Sequence, residues 1–213
     1  GAALGEDDKA RLRELNERIS SQETAFELAL QADSNDLAVV VDDPATLDGL
    51  TPGELSAAAA AAQARGLDGR HLLTLVLPTA HPHLASLTDR DLRRRLSEAQ
   101  RSRGSRGGPH DTRATALDIL RLRSERARLL GFENHAAAVT ADNTAGSPQA
   151  VRSLLERLAL PAARNARAEQ DAMSELAGFP VEPWDWPFYA ERVRSARYDV
   201  DRKSTRLNSS HRT

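Results

Sequence analysis

The stretch from Thr112 to Phe132 constrains this chain more than any other. Leu117, Leu120, Ala127 and Leu130 recur at helical spacing, with Ile119, Leu122 and Leu129 beside them. The spacing predicts a helix opened by Asp111 or Thr112, with most of its circumference buried. Gly131 supplies the left-handed residue that stops it, and Phe132 is placed to fold back on the last turn, as in a Schellman motif. Such a helix needs other helices around it.

The rest of the sequence offers them. From Asp7 to about Ala32, Leu12, Leu15, Ile19, Ala25, Leu28 and Leu30 fall near helical spacing, and Asp33 to Asp36 is expected to end that helix. Thr51-Pro-Gly-Glu54 combines an N-cap, a proline at the first helical position and the glutamate of a capping box, before an Ala-rich helix running to Arg65 with Gly66 as its C-cap. Thr88 is expected to cap a helix over about 89–103 with Leu92, Leu96 and Ala99 inward. Asn134 caps a short helix, and Ser147-Pro148 opens a long one to about Ala177, with a kink expected at Pro161. Asp185 is expected to cap a last helix through Tyr198. Residues 37–41 and 72–77 are short, β-branched or leucine-rich runs that read as a two-stranded antiparallel ribbon leaning on the helices. The predicted fold class is mainly α with that one small ribbon, and residues 1–200 are treated as one helical segment.

Composition agrees. Apolar residues make up 40% of the 213, most of them Ala, Leu and Val, and aromatics only 4%, which favours helices. Absence of cysteine removes disulfides and thiolate metal sites, and fits a cytoplasmic location. There is no apolar run of about 18 residues that could span a membrane.

The run Asp201-Arg-Lys-Ser-Thr-Arg-Leu-Asn-Ser-Ser-His211 matches, residue for residue, the in-frame translation of a sequencing adapter. Residues 201–213 are therefore expected to be non-native, and the segment before them to be truncated at both ends. Setting aside Arg202, Lys203, Arg206, Arg212 and Asp201 takes the formal net charge from −2 to −5. A mildly acidic body argues against a nucleic-acid binder.

Candidate chemistry is sparse. His81 and His83, with His71 and His110, lack the spacing and carboxylate partner of a zinc site, so solvated or capping roles are expected. Arg101, Arg103 and Arg106 with Gly104, Gly107 and Gly108 resemble a phosphate cradle. However, the loop lies between two helices and has no lysine, so a connector is expected. Trp184, Trp186, Phe188 and Tyr189 are expected to pack as an anchor between helices. No Gly-x-Ser-x-Gly, cysteine nucleophile or His-Glu-x-x-His occurs. No catalytic, cofactor-binding or metal-ligating residue is assigned.

Several stretches, in order, resemble one family. They are Ser102-Arg-Gly-Ser-Arg-Gly-Gly108, His110-Asp-Thr-Arg113, Glu125-Arg-Ala-Arg-Leu-Leu-Gly-Phe132 with Asn134-His-Ala136, and Pro183-Trp-Asp-Trp186 followed by Tyr189-Ala-Glu191 and Ala196-Arg-Tyr-Asp199. Asn35-Asp36, Val39 to Asp43, Leu47 to Leu50 and Leu73 to Leu75 extend the likeness. Together they resemble the thimet oligopeptidase family of zinc metallopeptidases, the group of oligopeptidase A and peptidyl-dipeptidase. That resemblance implies a two-lobed α-helical peptidase whose channel admits short peptides. It also implies one zinc held by the two histidines of His-Glu-x-x-His and a downstream glutamate, all C-terminal to the residues present. The chain is then expected to be a channel-wall segment that is inactive alone, with short peptides as the whole enzyme's partners and neither nucleic acid nor membrane. The alternative is a stand-alone helical binding module using Arg101 to Arg113 as its contact surface.

Overall fold

A computed structural model describes residues 4–75 and 81–198. Expectations for residues 76–77 and 201–213 fall outside the described residues. The chain divides into two compact units, one taking residues up to Asp36 and Ser102–Ala163, the other Leu37–Arg101 and the residues from Arg164.

In the first unit α1 (Glu6–Asp36) packs along α4 (Arg113–Leu129), and α5 (His135–Thr140) packs on α4. Glu6, Asp7 and Asp8 lie in the first turn of α1, where they suit the positive end of the helix dipole. Leu15 and Ile19 of α1 meet Leu122 of α4, with Leu129 packed against them. Each such side chain contributes about 1.5–3 kcal/mol relative to exposure. Arg11 to Glu125, Arg123 to Glu23 and Arg126 to Asn16 tie the flanks of the same pair.

The predicted stop of α4 is borne out. Phe132 N donates to Ala127 O at 2.9 Å, Gly131 N to Arg128 O at 2.9 Å, and Gly131 has φ +85°. Its predicted burial is not: Ile119, Leu122 and Ala127 are buried, but Leu117 and Leu120 are 53% and 57% exposed. The helix packs on α1 and α5, and apolar spacing alone does not tell which residues of two adjacent stripes face inward: Ala127 does and Leu117 and Leu120 of the same stripe do not. Helix α1 runs through Asp36, past its expected end, because Asp33 and Ser34 make side-chain hydrogen bonds from within the last turns.

The second unit carries the ribbon. Strands β1 (Val39–Val41) and β2 (His71–Leu73) pair antiparallel with Val39 opposite Leu73 and Val41 opposite His71. Alternation turns Val39 and Val41 into a core with Leu47, Leu73, Leu84 and Leu87. Helix α2 (Pro52–Gln63) covers β2 and opens on the predicted capping box: Thr51 N donates to Glu54 Oε2 at 2.8 Å and Glu54 N to Thr51 Oγ1 at 3.3 Å. Gly49, at φ +96°, lies where a Cβ would stand 2.0 Å from Ser86 O, so only glycine fits there.

Helix α3 (Arg90–Ser102) sends Leu92 and Leu96 into this core. Its cap is Asp89, whose Oδ1 accepts from Leu92 N at 2.6 Å, and not the expected Thr88. The Thr88 hydroxyl donates instead to Asp48 Oδ2 at 2.8 Å. Helix α6 (Pro148–Ala177) continues through Pro161, and α7 (Trp186–Tyr198) packs against the short 3-10 turn Pro82–Ala85. Among the described residues no helix is long and apolar enough to cross a membrane.

Candidate functional site

The glycine and arginine loop after α3 closes around a carboxylate of the chain itself. Asp33 of α1 is buried, and its Oδ2 accepts from Gly104 N at 2.6 Å while its Oδ1 accepts from Arg106 Nε at 3.1 Å. Gly107 N donates to Asp111 Oδ2 at 2.7 Å, and Asp111 also accepts from the Arg113 amide and guanidinium. Burial pushes the Asp33 carboxyl up, but the hydrogen bonds from Arg106 and Gly104 outweigh it and hold the group below its ordinary value. Gly104 has φ +67°, and a Cβ there would stand 2.5 Å from Thr112 Oγ1. Two of the loop amides that a phosphate would need are thus taken by Asp33 and Asp111, whose charge would also repel the phosphate. The loop is a connector, as the sequence suggested, and an anchored one.

Within each unit the histidines have separate partners. His81 is buried before the Pro82–Ala85 turn; its Nδ1 accepts from His83 N at 3.3 Å and its Nε2 lies 3.0 Å from Thr74 O. With Nδ1 accepting, the proton sits on Nε2 and is donated to the carbonyl. Burial, followed by the neighbouring His83, pushes the His81 pKa down to about 4. Both ring nitrogens are therefore engaged in protein hydrogen bonds, which makes His81 a cap and not a solvated group. His83 Nδ1 stands 3.5 Å from Glu54 within the second unit, and His110 Nε2 3.6 Å from Asp36 within the first. A zinc centre needs at least three converging protein ligands. Among the described residues no three His, Cys, Asp or Glu converge, so these side chains do not fit one.

The third constellation was missed by sequence reasoning. Asp185 accepts from Arg90 Nη2 at 2.8 Å, Arg93 Nη2 at 2.8 Å and Glu182 N at 3.1 Å, all within the second unit. Its carbonyl caps α7 by accepting from Tyr189 N, as predicted, but its carboxylate turns away to the two arginines. Burial raises the Asp185 carboxyl, and the hydrogen bonds from Arg90 and Arg93 bring it below its ordinary value. The Arg93 Nη1 also donates to Leu87 O and Thr88 O, and its guanidinium lies over the Phe188 ring at 4.1 Å. Arg90 lies over Phe179 at 4.4 Å, and Phe188 meets Tyr189 edge on. The expected aromatic anchor exists, with Phe188 buried and Trp184 and Trp186 half-buried. One signal for Arg93 was available: it shares the inward stripe of α3 with Leu96, Ser97 and Gln100.

A groove in the first unit is lined by Leu12, Arg126, Leu130, Phe132, His135 and Val139. Burial, helped by Arg123 and Arg126, lowers the His135 pKa below its ordinary value. The chemistry in hand across all these places is charge pairing and hydrogen bonding that hold shape.

Comparison with known proteins adds the context. Residues 83–212 match Peptidase family M3. The chain is 40% identical over 206 residues to the dipeptidyl carboxypeptidase of Salmonella typhimurium strain LT2, covering 94% of this chain and 30% of that protein. It is 36% identical to the dipeptidyl carboxypeptidase of Escherichia coli K12, over 94% of this chain and 30% of the relative. Against the oligopeptidase A of Escherichia coli K12 it is 30% identical, over 97% of this chain and 32% of the relative. The chain thus spans about a third of the length of these curated relatives.

Proposed function

This chain belongs to peptidase family M3, and from that premise we propose that it is part of a zinc metallopeptidase that hydrolyses short oligopeptides, of the peptidyl-dipeptidase or oligopeptidase type. Its share of the work is to form a rigid wall of the peptide channel, while the zinc ligands come from residues outside it. One observation carries this reading. Two of the stretches that carry the family likeness, Ser102 to Arg113 and Pro183 to Glu191, hold buried braces on Asp33 and Asp185 and no converging ligand set. A wall that positions a substrate must hold its geometry closely, and charge-assisted hydrogen bonds on buried carboxylates do that.

The test is made on the enzyme obtained by placing this chain in the position of its aligned span in the Salmonella relative. Cleavage of a quenched short peptide that is lost to a chelator and restored by zinc is the expected result. Release of dipeptides from the C-terminal end, or of internal fragments, separates the two types. A folded protein of this kind that takes up zinc and cleaves no peptide would overturn the reading.

A further inference from the structure

The stop of α4 builds a groove that lies wholly inside the first unit. With Gly131 in the left-handed region and Phe132 N bonded back to Ala127 O, the chain turns sharply and lays α5 against α4. Between α5, the end of α4 and the first half of α1 lies a groove of about 630 Å³, within the size range of small-molecule sites. Its apolar walls are Leu12, Leu130, Phe132 and Val139, the first three half-buried and Val139 49% exposed. Arg126 and His135 reach the same space.

The charges around it do not balance. Along α4, Arg113, Arg121 and Arg123 each meet a carboxylate, those of Asp111, Asp118 and Glu23. The half-buried Arg126 donates instead to a neutral amide oxygen, Asn16 Oδ1, at 3.1 Å, and forms no ion pair among the described residues. The His135 ring makes no hydrogen bond among the described residues, and positive charge faces it: burial, then Arg123 and Arg126, hold it below its ordinary pKa. Asp142 also lines the groove, but it is exposed and pairs with neither Arg126 nor His135 among the described residues.

We propose that this groove binds a small organic carboxylate with an apolar body, its carboxylate on Arg126 and His135 and its body against Leu12, Leu130, Phe132 and Val139. Charge selects the carboxylate, because a guanidinium presents paired N–H donors that match its two oxygens. The walls select the apolar body, because a bare inorganic anion would leave them in water. Such a site needs neither zinc nor peptide cleavage. It goes beyond the reading of the chain as part of a peptidase and does not rest on it.

Two probes carry the shared chemistry: octanoate for a straight acyl chain and N-acetylphenylalanine for an aromatic amino acid. Their uncharged amides and inorganic phosphate are the controls. Titration calorimetry on the purified 213-residue chain should show saturable binding of at least one of the two carboxylates, at one site per chain. Its amide should bind at least about tenfold more weakly, and phosphate not at all. Whichever probe binds more tightly identifies the source. Arg126→Gln should weaken binding at least about tenfold. Val139→Glu, at an exposed position, should weaken it likewise while leaving the helical circular dichroism and the midpoint of unfolding unchanged, which keeps the test independent of the Arg126 to Asn16 contact. Asp142→Asn should bind at least as tightly as the unaltered chain. No saturable binding of either carboxylate, equal binding of acid and amide, or binding that survives both Arg126→Gln and Val139→Glu overturns the proposal. Saturable binding of hexylamine that Asp142→Asn abolishes assigns the groove to a cation and overturns it as well. Zinc-dependent peptide cleavage is scored separately, so the peptidase reading and the carboxylate site fail by different results.

Discussion

Arg93 and Asp185, ninety-two residues apart in sequence, meet at 2.8 Å with 1% and 0% of their surface exposed. A buried pair of this kind is costly to break from one side, because the partner left behind keeps its charge out of water. Asp185→Ala is expected to lower the stability of the second unit by about 3–5 kcal/mol. The side chain of Arg90 is 47% exposed, so Arg90→Ala should cost about 1 kcal/mol or less. Urea unfolding of both variants checks the ranking, and equal losses would contradict it.

The Asp33 brace predicts a second pair of outcomes. Asp33→Ala leaves Gly104 N without its acceptor and should cost about 2–3 kcal/mol. Gly104→Ala, which needs φ +67° and meets Thr112, should cost about 1 kcal/mol or more. Inorganic phosphate should leave the unfolding temperature of the unaltered chain unshifted, since the loop amides are already taken. A phosphate-dependent rise would restore the loop as an anion site.

His81 sets a pH dependence. Its folded pKa lies near 4 against an ordinary 6.5, so between those values the unfolded chain binds a proton that the folded chain does not. Stability is full above pH 6.5 and falls on acidification through that window, by on the order of 2–3 kcal/mol. His83, also lowered by burial, adds to the slope in the same direction. His81→Gln should flatten most of it, and an unchanged slope would contradict the assignment. Asp33 and Asp185 act lower down: both are held below the ordinary carboxylate value, so their contributions are full above about pH 4 and are lost as pH falls further.

The capping box of α2 offers a local check. Thr51→Ala removes the side-chain acceptor of Glu54 N and should cost about 1 kcal/mol in thermal unfolding, while Thr51→Ser should cost little.

What was legible in the sequence was local. The capping box at Thr51, the Schellman stop at Gly131 and Phe132 and the Asn134 cap are each decided by residues a few positions apart, and each is present; the two β-branched or leucine-rich runs of the ribbon were legible in the same way, and they pair across some thirty residues. What was not legible depends on distant partners. Asp33 is an unremarkable helix residue until Gly104 and Arg106 reach it, and Asp185 reads as a plain cap until α3 supplies two guanidinium groups. Leu117 and Leu120 show the same limit from the other side: helical spacing puts them on a stripe with Ala127, but only the placement of the neighbouring helices decides that Ala127, Ile119 and Leu122 are buried and the two leucines are not. Part of the family likeness, the loop from Ser102 to Arg113 and the turn at Pro183 to Trp186, lies in the segments that carry this long-range bracing.

The proposal that this chain supplies scaffold while zinc ligands lie outside it is tested most directly by incubating the purified chain with zinc, removing the excess, and measuring both retained metal and cleavage of a quenched short peptide. The account predicts no zinc retained in stoichiometric amount and no cleavage above a chelator-treated control. Chelator-sensitive cleavage by the chain alone would contradict it.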